Sequence, residues 1–145
     1  MDTPSNIDSI EGGCLCKAIR YRIVGVPLSS IICHCNTCRK ASAAPSVGWL
    51  TFGLANFAFL SGSPHSFQSS PGVTRKFCGL CGSPLTYESA RDPGTIDVTT
   101  VSLDSPGLFP PTREVWLEHK LAWEATNESI AQFPRGTSEG AKIDT

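Results

Sequence analysis

The amino-acid sequence predicts a mainly β protein whose short strands are held together by cysteine-bound metal. Two observations lead to this prediction. Apolar and polar residues alternate over several short segments, as in half-buried strands, whereas no long segment has a regular helical pattern. In addition, the chain has 145 residues and 7 cysteines, and these are grouped at the close spacings that metal sites use.

Alternation and turn residues define the elements in order. Ile19, Tyr21 and Ile23 alternate with arginines in residues 17–26, which predicts a half-buried strand. Glycines and prolines separate the later segments, and Pro45 ends a short helical one. The other predicted elements are a strand over residues 30–33, one helical turn over 39–44, strands over 46–52, 57–61, 65–69, 73–77, 85–88 and 95–103, and an extended segment over 114–123.

An uncharged, largely apolar segment over residues 44–60 raises the alternative of a membrane span. The segment contains proline and glycine, and it is shorter than the roughly 20 residues that a spanning helix needs. Two buried strands around a turn are the better interpretation, so no membrane partner is expected. Residues 1–13 also lack the basic start and apolar run of a signal peptide, which predicts a cytoplasmic protein.

Length and charge restrict the class of protein further. We predict a single zinc-binding domain over residues 1–134, followed by a small, polar, flexible tail over 135–145. The 12 lysines and arginines nearly balance the 13 aspartates and glutamates. Because nucleic-acid-binding domains usually carry a basic excess, no nucleic-acid partner is expected. The oligomeric state stays open.

The seven cysteines form two separated pairs and one triple. A tight turn directs closely spaced sulfurs at one ion, so such groups are typical of metal sites. Disulfides are the alternative, but an odd number leaves one thiol unpaired, and a Cys-x-Cys loop closes a disulfide only with strain. The pairs are Cys14 with Cys16 and Cys78 with Cys81, and the triple is Cys33, Cys35 and Cys38.

The coordination chemistry of zinc suggests how these sulfurs divide. A structural zinc takes four protein ligands, whereas a catalytic zinc commonly takes three together with water. The sequence therefore predicts two zinc ions per chain. The four-cysteine group holds the structural ion and consists of Cys14, Cys16, Cys78 and Cys81. The three-cysteine group holds the catalytic ion and consists of Cys33, Cys35 and Cys38. The opposite division, which completes one pair with part of the triple, leaves thiols unused.

A further alternative makes both sites structural, with a histidine or a carboxylate as fourth ligand of the three-cysteine group. His65 and His119 are candidates for this role. His34 is a poorer one, because in an extended segment its side chain points away from the sulfurs of Cys33 and Cys35.

An open three-thiolate zinc is a site for a small-molecule thiol. Zinc stabilises thiolates, so an incoming thiol loses its proton and occupies the vacant position. Arg39 and Lys40 directly follow the three-cysteine group and are candidates to bind the carboxylates of an acidic thiol. Arg75 and Lys76, before the second pair, are further candidates, although each of these cations is equally well interpreted as a solvated surface residue.

The three cysteine motifs resemble those of the glutathione-dependent formaldehyde-activating enzyme family, which also includes centromere protein V. The similarity spans about residues 11–123, with a less specific part over 116–123. It is carried by Gly13-Cys14-Leu15-Cys16 with Tyr21, by Cys33-His34-Cys35-Asn36-Thr37-Cys38-Arg39-Lys40, and by Phe77-Cys78-Gly79-Leu80-Cys81-Gly82-Ser83-Pro84-Leu85.

The resemblance implies a β-tent of antiparallel sheets joined through zinc, with the same division of the cysteines into structural and catalytic ligands. It also implies a carbon–sulfur lyase activity, archetypally the condensation of formaldehyde with glutathione to S-hydroxymethylglutathione. We therefore expect an enzyme that uses glutathione or a similar thiol and an electrophilic carbon. The alternative is a non-catalytic interaction module whose zinc ions only hold the fold. The fourth position of the second zinc discriminates between the two hypotheses.

Overall fold

The structure is a computed structural model that describes residues 9–137, and it confirms the predicted mainly β class. Residues 1–8 lie outside the described residues, and so do residues 138–145 of the tail predicted over 135–145. The strands are β1 (Ile10–Gly13), β2 (Arg20–Ile23), β3 (Ser29–Cys33), β4 (Val47–Gly53), β5 (Phe57–Ser61), β6 (His65–Ser70), β7 (Val73–Phe77), β8 (Pro84–Ser89), β9 (Thr95–Thr99), β10 (Arg113–Val115) and β11 (Ala131–Gln132), and the helix α1 is Asn36–Ser42.

Contacts divide the chain into two compact units, of which the first contains Leu50–Phe109 and the described part of Met1–Ser29. β1, β2 and β5 form an antiparallel sheet in that order, and β6, β7, β8 and β9 are successive antiparallel neighbours. Two cysteines of the predicted four-cysteine metal group, Cys14 and Cys78, belong to the apolar core of this unit. The core consists of Ile10, Cys14, Ile19, Tyr21, Ile23, Leu50, Phe52, Cys78, Leu85, Ile96, Val98 and Leu103.

The second unit contains Ser30–Trp49 and the described part of Pro110–Thr145. β10 lies between β3 and β11 and pairs in parallel with both strands. These parallel pairs differ from the antiparallel sheets that the resemblance implies. β3 and β10 are distant in sequence, so no hairpin turn imposes an antiparallel direction on them. The prediction of one domain over residues 1–134 stays a prediction.

Three predicted elements need correction, two because of a local hydrogen bond and one because of the backbone conformation. The helix begins at Asn36 rather than residue 39, since the sulfur of Cys35 accepts the N–H of Cys38 as an N-cap. The strand predicted over residues 95–103 ends at Thr99, where Ser102 donates a hydrogen bond to the Thr99 carbonyl and a 3-10 turn forms. The extended segment over 114–123 ends at Trp116, whose φ is 60°.

The apolar segment over residues 44–60 forms strands, as predicted, but the two strands differ in burial. β4 is mostly buried, whereas β5 is half-exposed and contributes only one face to the core. A 3-10 turn, Leu54–Asn56, joins the strands. Within residues 9–137, no helix is long and apolar enough to cross a bilayer.

Asp97 on β9 is the acidic residue with the clearest effect on the pH dependence of stability. Burial raises its pKa to about 6, although the hydroxyl of Thr51 donates a hydrogen bond of 2.6 Å to its carboxylate. A raised pKa means that the folded state binds this proton more tightly than the unfolded state does. The contribution of Asp97 to stability is therefore full below about pH 4 and is lost as the pH rises through about 6.

We expect Asp97→Asn to stabilise the protein at pH 7.5, because an amide removes the buried charge and its oxygen still accepts from Thr51. A pKa unit corresponds to about 1.4 kcal/mol, and partial exposure reduces the effect, so the expected gain is on the order of 1–2 kcal/mol. Thermal melts at pH 7.5 and pH 5 should show a gain that shrinks at the lower pH. The exposed Glu128→Gln is the control, and an equal gain at both pH values would contradict the assignment.

Candidate metal centres

The four-cysteine group is assembled in the first unit. Its sulfur atoms all lie within 4.8 Å of one another. The sulfurs of Cys14 and Cys16 are 3.6 Å apart, and those of Cys16 and Cys78 are 3.7 Å apart. A tetrahedral site with zinc–sulfur bonds of about 2.3 Å has edges of roughly 3.8 Å. The spacing and the donor set therefore fit one tetrahedral zinc ion.

Backbone amides of the second turn donate hydrogen bonds to the sulfur of Cys78. The N–H groups of Leu80 and Cys81 each donate to the sulfur of Cys78 at 3.4 Å. The turn closes when Gly82, at a φ of 81°, donates its N–H to the Cys78 carbonyl at 2.8 Å. Glycine adopts this left-handed conformation at little cost. The turn thus directs two sulfurs inward and surrounds one of them with donors.

The first pair uses a similar turn after β1. Lys17, at a φ of 69°, donates its N–H to the carbonyl of Cys14, and Ile19 donates its N–H to the Cys14 sulfur at 3.3 Å. Such N–H donors stabilise a thiolate more than a thiol. The Ile19 N–H and the side-chain hydrogen bonds of Cys16 and Cys78 lower the pKa of the Cys14 thiol despite its burial.

The three-cysteine group is assembled in the second unit, where β3 leads into α1. Its sulfur atoms lie within 4.8 Å of one another. Cys33 and Cys38 are buried, and Cys35 is half-buried. Hydrogen bonds with Cys35 and Cys38, together with burial, raise the pKa of Cys33. Hydrogen bonds with Cys33 and Cys38 lower the pKa of Cys35. A sulfur-only donor set of this kind suits zinc.

The two histidines considered as a fourth ligand are both outside the three-cysteine group. His119 accepts the N–H of Asn36 at its Nδ1 and stacks on Trp116, with ring centroids 5.1 Å apart. His65 belongs to the first unit, where its imidazole lies close to Gly79. Among residues 9–137, no histidine or carboxylate joins the three sulfurs.

The predicted cations differ in their contacts. Arg39 donates from Nε to the His34 carbonyl at 3.3 Å and from Nη2 to the side chain of Asn36, so it lies along the loop of the three-cysteine group. Lys40 is exposed on α1. Arg75 and Lys76 lie on β7 of the first unit.

Sequence reasoning missed Glu114 as a residue connected to the three-cysteine group. Its carboxylate lies 2.6 Å from Nε2 of His34, and both side chains are buried. A single glutamate in a short strand pattern gives no signal of burial. Only the pairing of β3 with β10 brings the two residues together.

A mainly β fold with one four-sulfur and one three-sulfur group defines a cysteine-rich protein with two groups that could each hold a metal ion. The sequence profile of the glutathione-dependent formaldehyde-activating enzymes matches residues 9–119. The chain belongs to this family, which confirms the resemblance found in its motifs.

Two curated relatives and one solved structure illustrate the similarity. A Halomonas elongata protein, provisionally named a glutathione-dependent formaldehyde-activating enzyme, is 32% identical over 124 residues, which cover 79% of this chain and 78% of that protein. A Schizosaccharomyces pombe protein described as an uncharacterized lyase is 31% identical over 87 residues, 57% of this chain and 61% of its own length. A Rhodobacter sphaeroides crystal structure aligns with a TM-score of 0.57 at 20% identity and covers 71% of this chain and 100% of its own, which supports the fold alone.

Proposed function

We propose that the protein is a zinc-dependent carbon–sulfur lyase that joins a thiol to an electrophilic carbon and cleaves the same bond in reverse. Membership of the family and the lyase name of a relative support this class of reaction. The expected substrates are glutathione or a similar thiol and an electrophile such as formaldehyde. The reducing cytoplasm is the expected location, because it supplies glutathione and keeps thiols reduced.

The observation that carries the proposal is the composition of the three-cysteine group. Three sulfurs converge there, and no histidine or carboxylate of the described chain joins them. A zinc ion held by three thiolates has a position for an exogenous ligand and stabilises the thiolate form of a bound thiol. The four-cysteine group provides a complete ligand set and is assigned a structural role.

The residues of the loop have identifiable tasks in this proposal. The N–H of Cys38 donates to the sulfur of Cys35 at 3.3 Å and stabilises its negative charge. Arg39 and the exposed Lys40 provide positive charge for the carboxylates of an acidic thiol such as glutathione. Binding of the glutathione carboxylates would then orient the thiol, so that its sulfur is correctly positioned for the reaction.

The reaction balances without an oxidant or a reductant. The thiol sulfur forms a bond to the carbonyl carbon, and the π electrons of the carbonyl move to its oxygen. The proton that leaves the thiol is finally bound by that oxygen, which gives a hydroxymethyl thioether. Cleavage follows the same path in reverse and returns thiol and aldehyde.

We expect the zinc-loaded protein to bind glutathione with a dissociation constant below about 1 mM, which corresponds to about 4 kcal/mol. Isothermal titration calorimetry measures the binding. NMR exchange spectroscopy should show faster exchange of the methylene carbon between formaldehyde and its glutathione adduct than occurs without protein. Elemental analysis of the same sample should give up to two zinc ions per chain.

S-methylglutathione is the matched control ligand, since it keeps both carboxylates but has no ionisable thiol. It should bind much more weakly than glutathione. Absence of binding by glutathione and other small thiols at millimolar concentration, in a protein that holds two zinc ions, would contradict the proposal. The zinc-stabilised interaction module would then be the better interpretation.

A further inference from the structure

A buried pair of His34 and Glu114 lies next to the three-cysteine group. The side chains are 1% and 2% exposed, and Nε2 of His34 is 2.6 Å from Oε1 of Glu114. Burying a carboxylate costs several kcal/mol unless hydrogen bonds compensate for lost water. Neither His34 nor Glu114 belongs to one of the two cysteine groups. The burial of this polar pair therefore needs an explanation other than direct metal binding.

Glu114 is held firmly from both sides. It pairs with Ile32 of β3 and with Gln132 of β11, and its carbonyl accepts the N–H of Phe133 at 2.9 Å. The carboxylate oxygen that does not contact His34 accepts the N–H of Asn127. With both oxygens acting as acceptors, we assign the donor role in the short contact to Nε2 of His34. The position of the Glu114 carboxylate is therefore fixed by hydrogen bonds on both of its oxygens.

His34 lies between two members of the three-cysteine group. Its N–H donates to the Val115 carbonyl at 3.0 Å, which continues the pairing of Cys33 with Val115. Cys35 has an extended backbone, with φ of −64° and ψ of 153°. Side chains alternate in an extended segment, so the imidazole and the flanking sulfurs point to opposite sides. Fixing the imidazole therefore fixes the rotation of the backbone that carries both sulfurs.

We propose that His34 and Glu114 are positioning residues that orient the sulfurs of Cys33 and Cys35 for metal binding. The inference rests on the proposed function only in assigning metal to the three-cysteine group. An apolar pair of similar volume could fill this space without loss of stability. Such a pair has no directional bond, so it would leave the segment free to rotate. Outer residues that orient ligands typically change metal affinity by about 10–100-fold.

The test replaces the pair by apolar residues in the double variant His34→Phe/Glu114→Leu, with Glu114→Asp as a conservative variant. Competition for zinc with a coloured chelator measures the zinc affinity of both cysteine groups. The weaker binding step is assigned to the three-cysteine group by its absence in Cys35→Ser. We expect the double variant to lose about 10–100-fold in affinity at the three-cysteine group and to keep its affinity at the four-cysteine group. The half-buried Glu124, which accepts from Ser46, provides the matched control Glu124→Gln.

The outcomes separate the inference from the proposed function. Wild-type protein with no zinc at the three-cysteine group would contradict both. A double variant that binds zinc there as tightly as wild type would overturn only the positioning role. If the double variant fails to fold, the zinc affinity of Glu114→Asp tests the positioning role. This variant keeps the carboxylate but has a shorter side chain, which weakens the hydrogen bond to His34. If Glu114→Asp also fails to fold, or binds zinc like wild type, the pair serves folding alone.

Discussion

Replacing Cys78 by serine is expected to unfold the first unit. Cys78 is 1% exposed in the apolar core, and its sulfur lies 3.7 Å from that of Cys16, which is 62 positions earlier in the chain. A structural zinc contributes on the order of 10 kcal/mol of apparent folding free energy. Whole domains are stable by roughly 5–15 kcal/mol. Serine binds zinc poorly, so losing this ligand removes most of the available stability.

Circular dichroism melts and zinc analysis check this expectation. Leu80→Ser is the matched control, because Leu80 lies in the same turn, is 83% exposed and provides no ligand. The control should melt like wild type and keep its zinc. If Cys78→Ser also melted like wild type, the division of the seven cysteines into groups of four and three would be wrong.

The members of both sulfur groups could be predicted from the sequence because short turns determine them. A Cys-x-x-Cys turn places two sulfurs together whatever the rest of the chain does. The two turns of the four-cysteine group could then be combined by counting ligands. The structure brings together the same seven sulfurs in the same two groups. Their occupation by zinc stays a prediction.

The neighbours of the three-cysteine group could not be predicted, because they depend on tertiary contacts. Glu114 is 80 positions from His34, and only the parallel pairing of β10 with β3 brings them together. Strand alternation is a local pattern and does not indicate which strands pair or in which direction. The spacing of residues in the sequence therefore cannot predict the buried hydrogen bond between His34 and Glu114.

Local sequence rules failed at an unusual N-cap residue and at a residue with a left-handed backbone. Cysteine is not among the usual N-cap residues, so the helix start at Asn36 gave no recognisable signal. Trp116 has a left-handed conformation that strongly disfavours bulky side chains, and this ended a predicted extended segment. Both exceptions lie beside the three-cysteine group, where His119 stacks on Trp116 and accepts the N–H of Asn36.

Replacing Cys35 by serine is expected to abolish most activity while the protein stays folded. The Cys35 sulfur accepts the N–H of Cys38 as the N-cap of α1, and serine is itself a favoured N-cap residue. The helix start should therefore survive. Loss of the metal removes several kcal/mol of electrostatic stabilisation, so the rate of adduct formation should fall by roughly 10²–10³-fold.

Adduct exchange rates, zinc stoichiometry and thermal melts on one preparation decide this prediction. Ser42→Ala is the matched control in α1, because the Ser42 hydroxyl is buried and has no hydrogen-bond partner among the described residues. We expect Cys35→Ser to retain one zinc and to melt a few degrees lower, since the three ligands lie within one short loop and a loss of about 1 kcal/mol shifts Tm by roughly 2–8 °C. Unfolding as complete as that of Cys78→Ser would instead make the three-cysteine group structural, and the interaction module would become the better explanation of the chain.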